Sequence, residues 1–322
     1  MIKIIYRTTA SLLVSTSLLL GGCIEHTEKE TESETNTETE TAAVPKKTPL
    51  ITLPLEVSIN SLTELNALFD KYQYSSEQWA KGPREVPRLT FSGISKKWQT
   101  QSPKLAVDTK KSVFFRLMTP LILISNEKIL KERETAADSP LDSPELIKLA
   151  LKYRIIKDSK TVLDETLRKS LLQRVDILPP SLALAQAAEE SGWATSRFAL
   201  EGNAFFGQWD FSGNGMKPKA QRKELGNYGV ARFNSPLGSV EAYMLNLNSG
   251  SVYQPLRDLR AELRVSDQKI SGYKLAGTLD KYSERGQVYA QGLQKMISYN
   301  ELAKVDQAYL ADNRLVHITS GN

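Results

Sequence analysis

A single cysteine and two histidines are all that the 322 residues contain. With Cys23 alone, no disulfide can form within the chain. His26 and His317 lie far apart, and no cluster of His, Cys and carboxylate residues has the spacing of a metal site. A zinc hydrolase is therefore excluded, and neither a metal nor a cofactor is expected. A Ser–His–Asp hydrolase would have to use His317, which stands in a polar tail. A Cys–His enzyme would have to use Cys23, whose surroundings point to another role. There is no internal repeat, and no basic stripe interleaved with aromatics of the kind that binds nucleic acid. Long apolar runs are also missing. The one near the start is too short for a comfortable membrane span, and Phe114–Leu130 is interrupted by Pro120 and polar at its ends.

What is present at the start is a targeting pattern. Lys3 and Arg7 precede a short apolar stretch that ends Leu20-Gly21-Gly22-Cys23. Small residues before a cysteine are the pattern of a bacterial lipoprotein signal, so cleavage after Gly22 and acylation of Cys23 are expected. More than one acyl chain there would anchor the protein stably in a membrane. Ile24 stands where an aspartate would retain a lipoprotein in the inner membrane. The expected location is therefore the inner leaflet of the outer membrane, facing the periplasm of a Gram-negative cell. Residues 25–41 alternate Glu and Thr with no large apolar side chain, and Pro45 and Pro49 follow. Residues 23–50 thus read as a disordered, charge-stiffened linker. Residues 23–41 hold seven Glu against one Lys, which leaves residues 42–322 at +9 within a chain of +5 overall. A basic body of this kind suits an anionic polymer.

Residues 51–137 read as a helical buttress region without chemistry of its own. Leu62, Leu65, Leu68, Phe69 and Tyr72 form an amphipathic face that Ser61 caps, and Phe114–Leu130 is a buried core helix. Residues 138–300 hold further helices, Leu146–Ile155, Leu163–Val175 and Ser235–Asn248, the last with Ser235 as N-cap and Pro236 behind it. Residues 301–322 remain as a C-terminal tail. The organising stretch is Pro179–Trp209. Its first half is a helix with Pro179 and Pro180 at the entry and Gly192 as the stop. Glu189 and Glu190 then fall at its C-terminal end. There the helix dipole disfavours a carboxylate, and Trp193 and Phe206 are available to exclude water. Both effects raise a carboxyl pKa, as a general acid for glycosidic oxygen requires.

The run Ala185-Gln186-Ala187-Ala188-Glu189-Glu190-Ser191-Gly192-Trp193-Ala194, followed by Asn203-Ala204-Phe205-Phe206-Gly207, resembles the glucosaminidase family of peptidoglycan hydrolases. Phe206-Gly207-Gln208-Trp209-Asp210-Phe211 is similar to its Bax-type branch. The resemblance spans about Leu141 to Asn300. It implies a mainly α (α+β) architecture, with a lysozyme-like helical domain and a small β-hairpin lobe behind the disordered tether. It implies cleavage of the β-1,4 bond after N-acetylglucosamine in peptidoglycan glycan strands, with Glu190 as acid. It further implies a second carboxylate in the β lobe, for which Glu224 is the candidate and Asp210 the other carboxylate available. By the same match Tyr282 and Tyr289 take the family's active-site tyrosine positions, although Ser283-Glu284-Arg285-Gly286 departs from the family's A-T-D-P. Trp193, Asn203 and Phe206 complete the expected substrate contacts. Two alternatives stay open. A lytic transglycosylase shares the Glu-Ser pair but carries G-L-M-Q where this chain does not, and a non-catalytic wall-binding lipoprotein needs no acid at all.

Overall fold

The computed structural model describes residues 53–82, 84–218, 226 and 228–320. The expected signal, Cys23, the linker and Glu224 lie outside the described residues.

Strand β1 (Leu55–Ile59) leads into α1 (Leu62–Lys71), which begins where Ser61 Oγ accepts from the Glu64 N–H at 3.1 Å. The turn-rich stretch that follows is divided among α2 (Ser76–Ala80), β2 (Glu85–Val86), β3 (Leu89–Phe91) and α3 (Lys96–Gln101). Helix α4 (Val107–Asp138) runs 32 residues and is longer at both ends than its apolar segment predicts. Pro120 lies inside it, and the Thr119 and Ser125 hydroxyls donate to Phe115 O and Leu121 O at 2.8 Å within the same helix. No helix among the described residues is long and apolar enough to cross a membrane. Helices α5 (Pro144–Lys152) and α6 (Glu165–Arg174) are capped by Ser143 and Asp164.

Helix α7 (Pro180–Ser191) is the organising helix, and α8 (Arg197–Gly202) follows it. Strands β4 (Trp209–Asp210) and β5 (Gly229–Val230) form the small antiparallel lobe, with a further bridge between Met216 and Val230. Helix α9 (Pro236–Ser249) starts at Ser235, whose Oγ accepts from the Gly238 N–H. Helices α10 (Gln254–Val265), α11 (Gly272–Ala276) and α12 (Gln287–Tyr299) lead to β6 (Tyr309–Leu310) and β7 (Val316–Ser320). The result is mainly helical with few and short strands.

Every residue of α7 is buried except Glu189 and Glu190. A helix apolar on all sides belongs inside, and α7 packs against α4, α11 and α12. Its alanines keep it thin enough for that, and Leu182 and Leu184, both fully buried, contribute about 1.5–3 kcal/mol each.

Residues 301–322 were expected as a tail; residues 301–320 are built into the fold. β7 is the middle strand of a parallel sheet ordered β1-β7-β3, with Val316 opposite both Leu55 and Leu89. His317 is satisfied there by hydroxyls, Thr90 Oγ1 at 2.9 Å from Nδ1 and Ser92 Oγ at 2.8 Å from Nε2. The two N-terminal strands and β7 therefore join the expected buttress to the helical region in one unit, residues 51–322.

Candidate active site

The last turn of α7 carries the candidate acid, and both ends of the helix are fastened. At its start Pro179 offers no capping side chain. Asp306 supplies the cap from afar: Oδ1 accepts from the Ser181 N–H and Oδ2 from the Ser181 hydroxyl, each at 2.8 Å. A carboxylate at a helix N-terminus is favoured by the dipole, while its burial pushes the Asp306 pKa up against these bonds. The segment just before is held by the fully buried Arg260, which donates to Asp176 O and Ile177 O at 3.0 Å.

At its other end α7 stops in three consecutive left-handed residues, Gly192, Trp193 and Ala194, with φ of 56°, 61° and 63°. Such a conformation costs about 1–2 kcal/mol for each residue with a Cβ. Ser191 offsets part of it. Its buried Oγ donates to Ala187 O at 2.6 Å and accepts from the Ala194 N–H at 2.9 Å, and the Trp193 N–H donates to Ala188 O. The reversal sends the Trp193 ring against Phe114 and Phe115 of α4, at centroid distances of 5.6 and 5.3 Å. Trp193, expected as a substrate contact and as the shield of Glu190, is thus a packing residue between two helices.

Glu190 is half-buried, and its surroundings are tyrosines. Tyr289 Oη donates to Glu190 Oε1 at 2.7 Å and itself accepts from Gln186 Nε2 at 3.0 Å. Gln186 Oε1 accepts from Tyr243 Oη at 2.7 Å. Gln186 precedes Glu190 by one helical turn and so shares its face. Tyr282 stacks on Tyr289 at 5.5 Å with ring planes 3° apart, and Tyr253 leans on Tyr282. Burial raises the pKa of Tyr243, Tyr253, Tyr282 and Tyr289, and the charge of Glu190 adds to each. On the remaining side is Gly207, with φ of 60°. A Cβ there would stand 3.4 Å from Glu190 Oε2 and would be strained by the backbone besides.

Burial is the main reason that the Glu190 pKa is raised. The bond from Tyr289 works against it. Glu189 raises it further, and Arg285 lowers it. Glu189 points away, as the 3.6-residue repeat requires, and pairs with Arg285 at 2.6 Å. The Arg285 guanidinium also lies 5.1 Å from the Tyr289 ring centroid. A carboxyl with a raised pKa, one oxygen fixed by a phenol and the other beside a glycine, can deliver a proton to a leaving oxygen.

The other expected contacts are distributed differently. Tyr282 Oη donates to Phe206 O at 3.0 Å, which ties the tyrosine layer to the chain just before Gly207. The Phe206 ring is 1% exposed and stacked on Tyr243 at 3.9 Å, so it supports the tyrosine layer and has no face to offer a sugar. Asn203 is a left-handed helix cap whose Nδ2 donates to Phe233 O at 3.2 Å and Ser92 O at 3.4 Å, so its donor group is spent on the fold. Asp210 accepts from the Ser212 N–H at 2.7 Å, and Ser212, through its hydroxyl first and then this N–H, pulls the Asp210 pKa down. Gln186, Tyr243 and Tyr253 are not among the expected site residues. For Gln186 the signal existed, four residues before the acid; Tyr243 read as an ordinary apolar-face residue of α9. Among the described residues no three His, Cys, Asp or Glu side chains converge to hold a metal ion.

Residues 166–302, which include this half-buried, tyrosine-bonded glutamate, match the family model for mannosyl-glycoprotein endo-β-N-acetylglucosaminidase. The chain belongs to the glucosaminidase family, in its Bax-type branch. Protein bax of Escherichia coli (strain K12) is 32% identical to it over 203 residues, which cover 60% of this chain and 70% of that protein. No solved structure matches the chain.

Proposed function

We propose that the protein is a peptidoglycan hydrolase that cuts the β-1,4 bond after N-acetylglucosamine and leaves that sugar as the new reducing end. The observation that carries this reading is the Glu190 carboxyl, half-buried beside Gly207 and bonded by Tyr289. Protonated Glu190 gives its proton to the glycosidic oxygen as the C1–O bond breaks and the bonding pair leaves with that oxygen. Positive charge then develops at the anomeric carbon. Glu224 activates the water that attacks there, or the substrate's own N-acetyl oxygen attacks first and water follows. The tyrosine layer holds Glu190 in place while this happens. The excess of positive charge over residues 42–322 favours a wall polymer bearing peptide carboxylates.

The test is a digest of purified peptidoglycan, reduced with borohydride and analysed by mass spectrometry. Reduced N-acetylglucosamine ends are expected. Anhydro-muropeptides would make the protein a transglycosylase, and no new ends with wall binding retained would make it a scaffold. The Leu20-Gly21-Gly22-Cys23 pattern supports a lipid anchor in the outer membrane as part of the same proposal. Fatty-acid labelling that persists in Cys23→Ser would overturn that part.

A further inference from the structure

Of the four tryptophans, Trp79, Trp98 and Trp193 pack against the core, and Trp209 alone is exposed, at 56%. It sits on β4, two residues beyond Gly207. Two residues of chain reach no more than about 7 Å, so its backbone begins within that distance of the glycine that flanks Glu190 Oε2. The ring is not a loose surface side chain. Tyr228 meets it edge-on at 4.9 Å, and Trp209 pairs with Val230 of β5. The lobe beneath is locked by backbone contact: a Cβ on Gly229 would stand 2.7 Å from the carbonyl carbon of Gly215. Phe211, at the next alternate position, is 73% exposed. Nothing in the acid chemistry uses these two rings.

A fixed indole with an open surface, on the strand that leaves the glycine flanking Glu190, has a specific complement. The C–H face of a pyranose is apolar, while its hydroxyls and amide point outward. Stacking on an aromatic ring buries that face without costing the polar groups their hydrogen bonds. We propose that Trp209 is the stacking platform for an N-acetylhexosamine ring in the subsite adjoining the scissile bond, with Phe211 extending it. The sugar's identity rests on the glycan reading above; the platform itself rests on the exposure and fixation of the ring and on the place of Trp209 in the chain, two residues beyond Gly207.

The test uses full-length protein carrying Glu190→Gln, so that bound glycan is not turned over, with tetra-N-acetylchitotetraose and purified peptidoglycan as probes. Affinity is measured by calorimetry for the tetrasaccharide and by pelleting for the wall polymer. Binding is expected to shift the tryptophan emission to shorter wavelength. Trp209→Ala should weaken binding by about tenfold or more and abolish the shift. Trp209→Phe should restore most of the affinity but not the shift, which separates lost stacking from a misfolded lobe. Unchanged affinity in both variants overturns the proposal, as does failure of the Glu190→Gln protein to bind either probe. If the wild type cleaves no glycan yet binding depends on Trp209, the hydrolase reading fails and the platform stands. If the wild type cleaves and Trp209 is immaterial, the reverse holds.

Discussion

Tyr289 gives its only proton to Glu190: its hydroxyl donates to Oε1 at 2.7 Å, since its other partner, Gln186 Nε2, can only donate to it. Tyr243 donates in turn to Gln186 Oε1. The donors therefore point one way, from the buried α9 through the amide to the carboxyl at the end of α7. Each link is fixed by what its neighbour can give or accept, so the Glu190 carboxyl is held by a directional network.

Glu190→Gln is expected to lower hydrolysis by about 10²–10⁴-fold, the loss of a transferable proton. The same variant should be more stable than the wild type at neutral pH. Burial raises the folded-state pKa of Glu190. The folded state then binds more protons than the unfolded one between the ordinary carboxylate value and the raised value, so wild-type stability falls as pH climbs through that window. Thermal melts at pH 7 and at pH 3 check this: the variant's advantage should be present at the first and gone at the second.

Tyr289→Phe should cost about 1–3 kcal/mol, because the buried Gln186 amide loses its acceptor. The Tyr289 bond favours the charged form of Glu190, so its removal raises the acid's pKa further. The alkaline limb of the pH–rate profile should move upward even as the rate falls. A profile with an unmoved limb would separate Tyr289 from the acid.

Arg285 and Glu189 should move that limb in opposite directions. Arg285 lowers the Glu190 pKa and Glu189 raises it. Arg285→Ala is expected to shift the limb up and Glu189→Gln to shift it down. Neither should change the melting temperature appreciably, since the pair is partly exposed to solvent that screens it. Equal limbs in both variants would contradict the electrostatic account.

Gly229→Ala should destabilise the β lobe, since the added methyl meets Gly215 backbone at 2.7 Å. Overpacking of this kind costs about 1–3 kcal/mol. Activity should fall by more than the helical circular dichroism signal, because the lobe carries β4 while the helices lie elsewhere.

The helical half of the fold was legible because its signals are local. Ser61 and Ser235 cap the helices that follow them, and the proline entry and glycine exit bracket α7; Asp164, expected inside its helix, caps it instead. The parallel sheet was not legible. Its middle strand pairs across more than two hundred residues, and His317 and Thr319 give it the polarity of a tail. The two ring nitrogens of His317 are accommodated by partners that sequence proximity does not reveal, Thr90 and Ser92. At the site the motif residues share a neighbourhood but not a role. Trp193 is three residues from Glu190, yet the left-handed turn between them sends its ring to α4. Phe206 is buried behind the tyrosines, while Gln186 and Tyr243, unremarkable in the motif, form the network.

The cap of α7 lies 125 residues downstream of the Ser181 it serves, and β7 comes later still. A chain made from its N-terminal end therefore produces the whole of α7 long before it produces the residues that secure it. Until Asp306 emerges, the first turn of α7 has unpaired donors, and until Val316–Ser320 emerge, β1 and β3 have no strand between them. The unit locks only when synthesis has passed these residues, so a nascent or interrupted chain holds Glu190 without the frame that aims it.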